Sequence, residues 1–178
     1  ALLDYSSISG APVFIFRLPH VVGKWCRPNY NSVVSTFCHN IARNIPIVID
    51  DPDYLLNVVY IDDLIEMAIQ IALKKNICGP FCEVIPNYSI SVGNLAKLIY
   101  DFKDSRNSLI TEKVGYGLIR IIYATYMSYL PNSDFEYSLT SHEDNRGNFV
   151  EFLKTKDSGQ FSYFTAHPGI TRGGHYHH

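Results

Sequence analysis

A polar loop follows the first strongly apolar segment of the chain and carries side chains suited to binding an anion. Residues 17–32 read RLPHVVGKWCRPNYNS, and the preceding run Val13–Leu18 is typical of a strand buried on both faces of a parallel sheet. Ligands of such sheets bind beyond the carboxyl ends of the strands, so the loop stands where a cofactor or substrate would bind. The side chains suited to a diphosphate and a flat ring are Lys24, Trp25, Arg27, Asn29 and Asn31. On residue type alone, an ordinary polar loop at the rim of the fold is the simpler interpretation.

A second group of chemically capable residues, PGITRGGHYHH, stands at the end of the sequence. On a β-strand His175 and His177 would point to one face, which is the geometry that two imidazoles need to share one metal ion or one substrate. A histidine-rich tail is the alternative. An affinity tag would be a pure histidine run without the preceding Gly-Ile-Thr-Arg-Gly-Gly, so the pattern favours a site.

The elements that must position the loop alternate between strand and helix up to about residue 110, which predicts an α/β fold. Apolar residues at helical spacing predict a helix from an Asn31 cap to about Asn44, a second from Asp62 to about Lys75 and a third after a Ser91 cap. Besides Val13–Leu18, short strands are predicted at Pro46–Ile49, Asn57–Tyr60 and Phe81–Ile85.

The pattern changes after a hydrophobic helical segment at Gly115–Leu130. Pro131 breaks the chain, and alternating apolar runs are then separated by the turn signals DNRG at 144–147, DSG at 157–159 and HPG at 167–169. We therefore predict two domains, an α/β domain over residues 1–130 and an all-β module over residues 131–178.

Composition excludes several classes of function. The chain has 178 residues with 15 Lys+Arg against 17 Asp+Glu, a net charge of −2, which argues against a polybasic protein that binds nucleic acid or a membrane surface. The longest apolar stretch, Tyr116–Leu130, is shorter than the roughly 20 residues of a membrane-spanning helix. No C-x-x-C pair occurs among Cys26, Cys38, Cys78 and Cys82. Reduced thiols in a cytoplasmic protein are therefore expected.

Several motifs resemble those of a known family. The string GKWCRPNYNSV at 23–33 resembles the R-P-x-N-x-x-G segment of extended short-chain dehydrogenase/reductases, and Tyr60-Ile61-Asp62-Asp63 resembles their Y-V-D-D motif. Gly169, five further residues and His175-Tyr176-His177 match the opening of the cupin signature G-(x)5-H-x-H. With D-x-R-G-x-F-x-E-F-x-K at 144–154, the combination resembles bifunctional sugar-nucleotide enzymes of capsular polysaccharide and O-antigen synthesis. The resemblance covers essentially the whole chain.

The resemblance implies a fold and a reaction. The fold would be the C-terminal part of a Rossmann-type extended reductase domain, followed by the first strands of a cupin jelly roll. The cupin would epimerise C3 of a UDP-2-acetamido-2,6-dideoxy-4-keto-hexose, and the reductase domain would then reduce C4 with NADPH on the route to UDP-N-acetyl-L-fucosamine. A C3 proton beside a C4 ketone is acidic enough for a positioned base. A cytoplasmic homodimer is also implied.

Residue roles follow from the same resemblance. Pro19 and His20 would contact the cofactor, and the substrate-binding set would be Lys24, Trp25, Arg27, Asn29, Asn31 and Ser32. For His175 two roles remain open. It would either serve as the base for C3 epimerisation beside Arg172, or bind a divalent metal, with zinc expected, together with His177.

The sequence also departs from the family pattern. It contains no G-x-x-G-x-x-G phosphate loop and no Y-x-x-x-K pair, so we expect an internal piece of a longer protein that lacks reductase activity by itself. His20 stands where the family usually has Asn, and Leu56 where many members have a diphosphate-binding Arg. The alternative function is a non-catalytic sugar-nucleotide-binding or scaffold protein with a degenerate reductase domain.

Overall fold

A computed structural model describes residues 1–74, 78–171 and 173 of the chain. It contains five α-helices in these ranges: α1 (Leu2–Ser9), α2 (Val33–Ala42), α3 (Ile61–Ala72), α4 (Val92–Ser108) and α5 (Gly117–Met127). The strands of the same ranges are β1 (Ile15–Phe16), β2 (His20–Val22), β3 (Leu55–Tyr60), β4 (Phe81–Cys82), β5 (Tyr88–Ser91), β6 (Ile110–Thr111), β7 (Ser141–Asp144), β8 (Gly147–Thr155) and β9 (Gln160–Phe164). The predicted α/β pattern of the first part of the chain is thus confirmed.

The described strands form three sheets. Strands β1 and β4 pair in parallel, and β3 lies between β2, its parallel neighbour, and β5, its antiparallel neighbour. In the third sheet β8 pairs with β7 and β9 in antiparallel fashion and with β6 in parallel. Both hairpin turns of this sheet lie at the predicted DNRG and DSG signals.

The main core lies between the sheet of β2 and β3 and the three helices α2, α4 and α5. Its fully buried hydrophobic side chains include Val22, Ile41, Val58, Leu95, Ile99, Phe102, Ile121, Ile122 and Tyr126. Helices α2 and α4 begin at serine caps, where the Ser32 and Ser91 hydroxyl oxygens accept hydrogen bonds from the amides of Ser35 and Asn94. Strand β2 and helix α2, both packed in this core, fix where the loop between them starts and ends.

Local patterns misplaced some element boundaries. Helix α2 is capped by Ser32 rather than by Asn31. No strand forms at Pro46–Ile49, where Val48 is 79% exposed and Pro46 lacks a backbone donor. The predicted strand Val13–Leu18 is reduced to β1, which pairs with β4 and whose two residues are half-buried.

The prediction of four reduced thiols is wrong for one pair. Cys78 and Cys82 form a disulfide, with their Cα atoms 5.6 Å apart. The turn through Gly79 and Pro80 brings these thiols together across four residues, a spacing one residue longer than C-x-x-C. Cys26 and Cys38 carry free thiols, and burial raises the pKa of the Cys38 thiol.

The third sheet also contains a strand that precedes Pro131 in the chain. Strand β6, in the connection between α4 and α5, pairs with the end of β8, and the Leu109 carbonyl accepts a hydrogen bond of 2.7 Å from the Lys154 amide. The second domain expected over residues 131–178 therefore shares its sheet with a strand from the first 130 residues. Of the helices in the described ranges, none has both the length and the apolar character required to cross a membrane.

Candidate functional site

A cleft of about 380 Å³ opens where β1 ends and β2 begins. Its lining includes Pro19 and His20, the two residues predicted to contact a cofactor, and two residues that sequence analysis missed, Tyr54 and Asn57. Leu18 and Leu55 complete the lining. The structure therefore brings the predicted Pro-His step together with the start of β3, more than 30 residues further along the chain.

Strand β3 explains why Asn57 faces the cleft. Its residues alternate between exposed and buried positions at the start of the strand, so Leu55 and Asn57 line the cleft while Leu56 and Val58 lie in the core. The Asn57 amide oxygen accepts a hydrogen bond of 2.5 Å from the Ser89 hydroxyl of β5. A single polar residue inside an apolar strand was the signal that could have identified this position.

A second, mainly apolar cleft of about 290 Å³ lies beside the first and shares Tyr54 with it. Phe37, Ile49 and Leu56 contribute to its apolar wall, and Asp50 lies at the same cleft. Leu56 is 3% exposed and belongs to the core, so the position at which many extended reductases carry an arginine is here an apolar packing position. Leu56 therefore cannot serve as a diphosphate anchor.

The two cations of the loop are both close to aromatic rings. The Lys24 ammonium lies 5.4 Å from the centroid of the Trp25 ring and 3.4 Å from an Asp62 carboxylate oxygen. The Arg27 guanidinium lies 5.4 Å from the centroid of the Tyr30 ring. Exposed ion pairs and cation–π contacts each contribute about 1 kcal/mol or less, so an anionic ligand could replace them at little cost.

The amide and hydroxyl side chains of the loop differ in their contacts with helix α2. Asn29 exchanges two side-chain hydrogen bonds with Asn40 of α2, at 3.3 and 3.4 Å. Ser32 is used as the cap of α2, whereas Asn31 is exposed. Trp25 is 86% exposed. The predicted substrate-binding residues therefore lie on one loop, and all of them except Ser32 are exposed to solvent.

The Tyr60-Ile61-Asp62-Asp63 motif lies at the junction of β3 and α3. Tyr60 is buried, and burial raises the pKa of its phenol, as does the nearby Asp62 carboxylate, while the Arg120 guanidinium 5.5 Å from the ring centroid acts in the opposite direction. Asp62 and Asp63 stand in the first turn of α3, where carboxylates complement the helix dipole. Through its ion pair with Lys24, this motif also contacts the loop.

The residues predicted at the end of the chain, Arg172, His175 and His177, lie outside the described residues. Within residues 1–74, 78–171 and 173, no three His, Cys, Asp or Glu side chains are grouped so that they could hold a metal ion.

Comparisons with known proteins agree with the motifs. A family model described as the polysaccharide biosynthesis C-terminal domain matches residues 142–178. A reductase from Pseudomonas aeruginosa, UDP-2-acetamido-2,6-beta-L-arabino-hexul-4-ose reductase, is 56% identical over 169 residues, which is 95% of this chain and 45% of that protein. The family resemblance is confirmed. The chain spans about half the length of the relatives that it matches.

Solved structures of other proteins are also similar to this chain. The capsular polysaccharide assembling protein CapF from Staphylococcus aureus is 40% identical, with a TM-score of 0.90 over 99% of this chain and 48% of that chain. A UDP-glucose 4-epimerase from Thermotoga maritima, 17% identical, covers 76% of this chain and 50% of that chain with a TM-score of 0.58. The epimerase likeness concerns the fold alone.

Proposed function

We propose that the chain is part of an enzyme that reduces the C4 keto group of a UDP-linked 2-acetamido-2,6-dideoxy-hexose with NADPH, in capsular polysaccharide synthesis. The observation that carries the proposal is the joining of Pro19, His20, Tyr54 and Asn57 in one cleft, at the start of the strand β2 that leads into a loop with two cations. The 56% identity to a reductase of such a sugar nucleotide supports the same chemistry.

Each residue has a role in this proposal. NADPH supplies the hydride when it is bound, and the cleft has polar groups suited to it, since His20 and Asn57 line it and can hydrogen-bond a carboxamide or a hydroxyl. Lys24 and Arg27 neutralise the diphosphate of the sugar nucleotide, Asn29, Asn31 and Ser32 add polar contacts, and Trp25 stacks on a flat ring. The glycine-rich phosphate loop and the Tyr-Lys pair of such reductases are not part of this sequence.

The loop assignment is tested by kinetics in a protein that contains the chain and the reductase domain. Lys24→Ala and Asn31→Ala should each raise KM for the sugar nucleotide by about tenfold, because each removes one polar or charged contact to the ligand. The unfolding temperature should change little. Lys97→Ala is the matched control, since Lys97 pairs with Asp101 on the exposed face of α4. Unchanged KM in both loop variants would contradict the assignment.

We further propose that residues 131–178 begin a cupin module that epimerises C3 of the same keto sugar, on the route to UDP-N-acetyl-L-fucosamine. The match of residues 142–178 to a polysaccharide biosynthesis domain supports a separate functional module here. His175 would remove the C3 proton beside the C4 ketone, with Arg172 near the substrate, or His175 and His177 would bind a divalent metal such as zinc. A bound metal would polarise the ketone and stabilise the enolate.

Two measurements on His175→Ala separate these roles. Loss of solvent deuterium incorporation at C3, with NADPH affinity unchanged, is expected if the module carries out the epimerisation. Zinc content measured by atomic absorption should fall to zero if His175 is a ligand and stay unchanged if it is the base. Deuterium incorporation at the wild-type rate in a folded variant would remove His175 from the reaction. A homodimeric, cytoplasmic protein completes the proposal, and light scattering after gel filtration tests the dimer.

A further inference from the structure

The loop between β2 and α2 has a backbone conformation that one of its residues, Trp25, disfavours. Trp25 and Asn29 both have positive φ angles, 66° and 54°. For a residue with a side chain this left-handed region brings Cβ close to the following carbonyl oxygen, and a large aromatic residue gains no compensation from a local hydrogen bond. Contacts with the rest of the fold must therefore hold the loop in this shape.

One such contact comes from the end of α5, more than 100 residues further along the chain. The Tyr129 hydroxyl donates a hydrogen bond to the backbone carbonyl of Cys26, directly beside Trp25. Tyr129 is 7% exposed, and its own carbonyl accepts a 2.6 Å hydrogen bond from the Arg43 guanidinium. Its ring meets the His39 ring edge to face, with centroids 6.4 Å apart. The hydroxyl is thus held against the loop by contacts on both sides of the residue.

A second contact comes from α2. The Asn29 backbone amide donates a 2.9 Å hydrogen bond to the Thr36 hydroxyl. The Asn29 side-chain amide pairs with the side-chain amide of Asn40, a residue that is 7% exposed. The Asn40 amide oxygen also lies 3.0 Å from Nδ1 of His39. His39 therefore lies between the two contacts, beside Tyr129 on one side and Asn40 on the other.

We propose that Tyr129, Thr36 and Asn40 are positioning residues that hold the loop 23–32 in the conformation that binds the UDP-linked sugar. The inference rests on the proposed function, in which Lys24 and Asn31 of this loop contact the sugar nucleotide. The Tyr129 hydroxyl is engaged with Cys26 and acts through the loop, not on the substrate. Burial raises the pKa of Tyr129, so the hydroxyl remains a proton donor at neutral pH. A loop ordered before binding loses less conformational entropy when the ligand arrives.

Hydrogen exchange of the loop amides tests the positioning role without any ligand. In the intact protein, Tyr129→Phe removes only the hydroxyl and keeps the ring. Exchange in peptides covering 23–32 should become about tenfold faster, as expected for the loss of one hydrogen bond to ordered backbone, while peptides of α4 keep their rates. Thr36→Val, which removes the acceptor of the Asn29 amide, should have the same effect even if Tyr129→Phe fails to fold.

Tyr126→Phe is the matched control, because Tyr126 is buried one turn earlier in α5 and its ring packs against Phe102. Loop exchange should be unchanged in this variant. Wild-type exchange rates over 23–32 in both Tyr129→Phe and Thr36→Val would overturn the proposal.

Kinetics then separate positioning from a general structural role. KM for the sugar nucleotide should rise about tenfold in Tyr129→Phe, with kcat within about twofold of wild type, because the loop contributes binding and not the hydride step. Faster loop exchange with unchanged KM would support the positioning contacts and contradict the substrate role of the loop in the proposed function. A higher KM with unchanged loop exchange would overturn the positioning role.

Discussion

Gly23 shows how one residue sets the path of the loop. Its φ angle is +155°, and an added Cβ would lie 2.2 Å from Cγ2 of Ile61, at the start of α3. The chain can pass this point only without a side chain, because the neighbouring Ile61 packs against the core.

We therefore expect Gly23→Ala to lower the free energy of unfolding by about 2–3 kcal/mol, since the loop or α3 must shift to relieve the overlap. Urea unfolding followed by circular dichroism measures the change. Gly115→Ala is the matched control, because an added Cβ there has no neighbour within 4 Å and should change the free energy by less than about 0.5 kcal/mol. Equal stability of the two variants would contradict the steric argument.

His20 tests the cofactor side of the cleft. The imidazole stands where the family usually carries an asparagine, and both side chains can donate a hydrogen bond. His20→Asn should therefore leave KM for NADPH and kcat of the full enzyme within about threefold of wild type. Steady-state kinetics at pH 7 measure both values, and an inactive but folded variant would show that His20 has a role that an amide cannot perform.

At the scale of single elements, α4 depends on the serine that caps its first turn. The Ser91 hydroxyl oxygen accepts a 3.3 Å hydrogen bond from the Asn94 amide. Ser91→Ala should lower the free energy of unfolding by about 1 kcal/mol, because an amide of the first turn loses its partner. Ser91→Thr keeps the acceptor and should recover most of that loss. Thermal unfolding of the three proteins at one pH makes the comparison.

Tyr126 of helix α5 should make the stability of the fold depend on pH in the alkaline range. Burial raises the pKa of Tyr126 from 10.0 to about 12. Because the folded-state pKa lies above the unfolded value, folding favours the neutral phenol. Its contribution to the free energy of unfolding is fully present below about pH 10 and is lost as the pH rises toward 12. Between these pH values the wild type should lose stability more steeply than Tyr126→Phe, which has no phenol to ionise. Urea midpoints at several pH values measure the slopes, and parallel slopes would contradict the assignment.

At the scale of the whole molecule, the connection between α4 and α5 ties the two predicted domains together. Strand β6 adds to the sheet of β8, and two ion pairs follow it directly, Glu112 with Lys156 and Lys113 with Asp157. All the charged groups except Glu112 are largely exposed, so the pairs are expected to fix orientation more than to add stability. The backbone pairing is the more specific link.

The Lys113 pair can be tested by titration. A hydrogen bond from Lys113 lowers the pKa of the Asp157 carboxyl. The contribution of this ion pair to the free energy of unfolding is therefore present at neutral pH and is lost as the pH falls through the lowered pKa of Asp157. Lys113→Ala should raise the pKa of Asp157 toward its ordinary value, as measured by NMR, whereas Lys97→Ala on α4 should leave it unchanged. A low Asp157 pKa that persists in Lys113→Ala would assign the shift to Ser158 instead.

Local patterns in the sequence determined much of this protein. The apolar spacing of α2 and α4, the serine before α4 and the turn residues at 144–147 and 157–159 depend on neighbours only a few residues apart, and the structure confirms them. The motifs GKWCRPNYNSV and Tyr60-Ile61-Asp62-Asp63 likewise identified the relatives without any coordinates.

Tertiary structure alone decided which distant residues meet. Tyr54 and Asn57 join Pro19 and His20 because β3 pairs with β2, and Tyr129 reaches Cys26 because α5 packs on α2. The Cys78–Cys82 pair and the addition of β6 to the third sheet also depend on how the backbone turns and pairs. The physical reason is the range of the interactions: propensities, caps and turns act over a few residues, whereas a cleft or a contact 103 residues apart forms only when the core brings separate elements together.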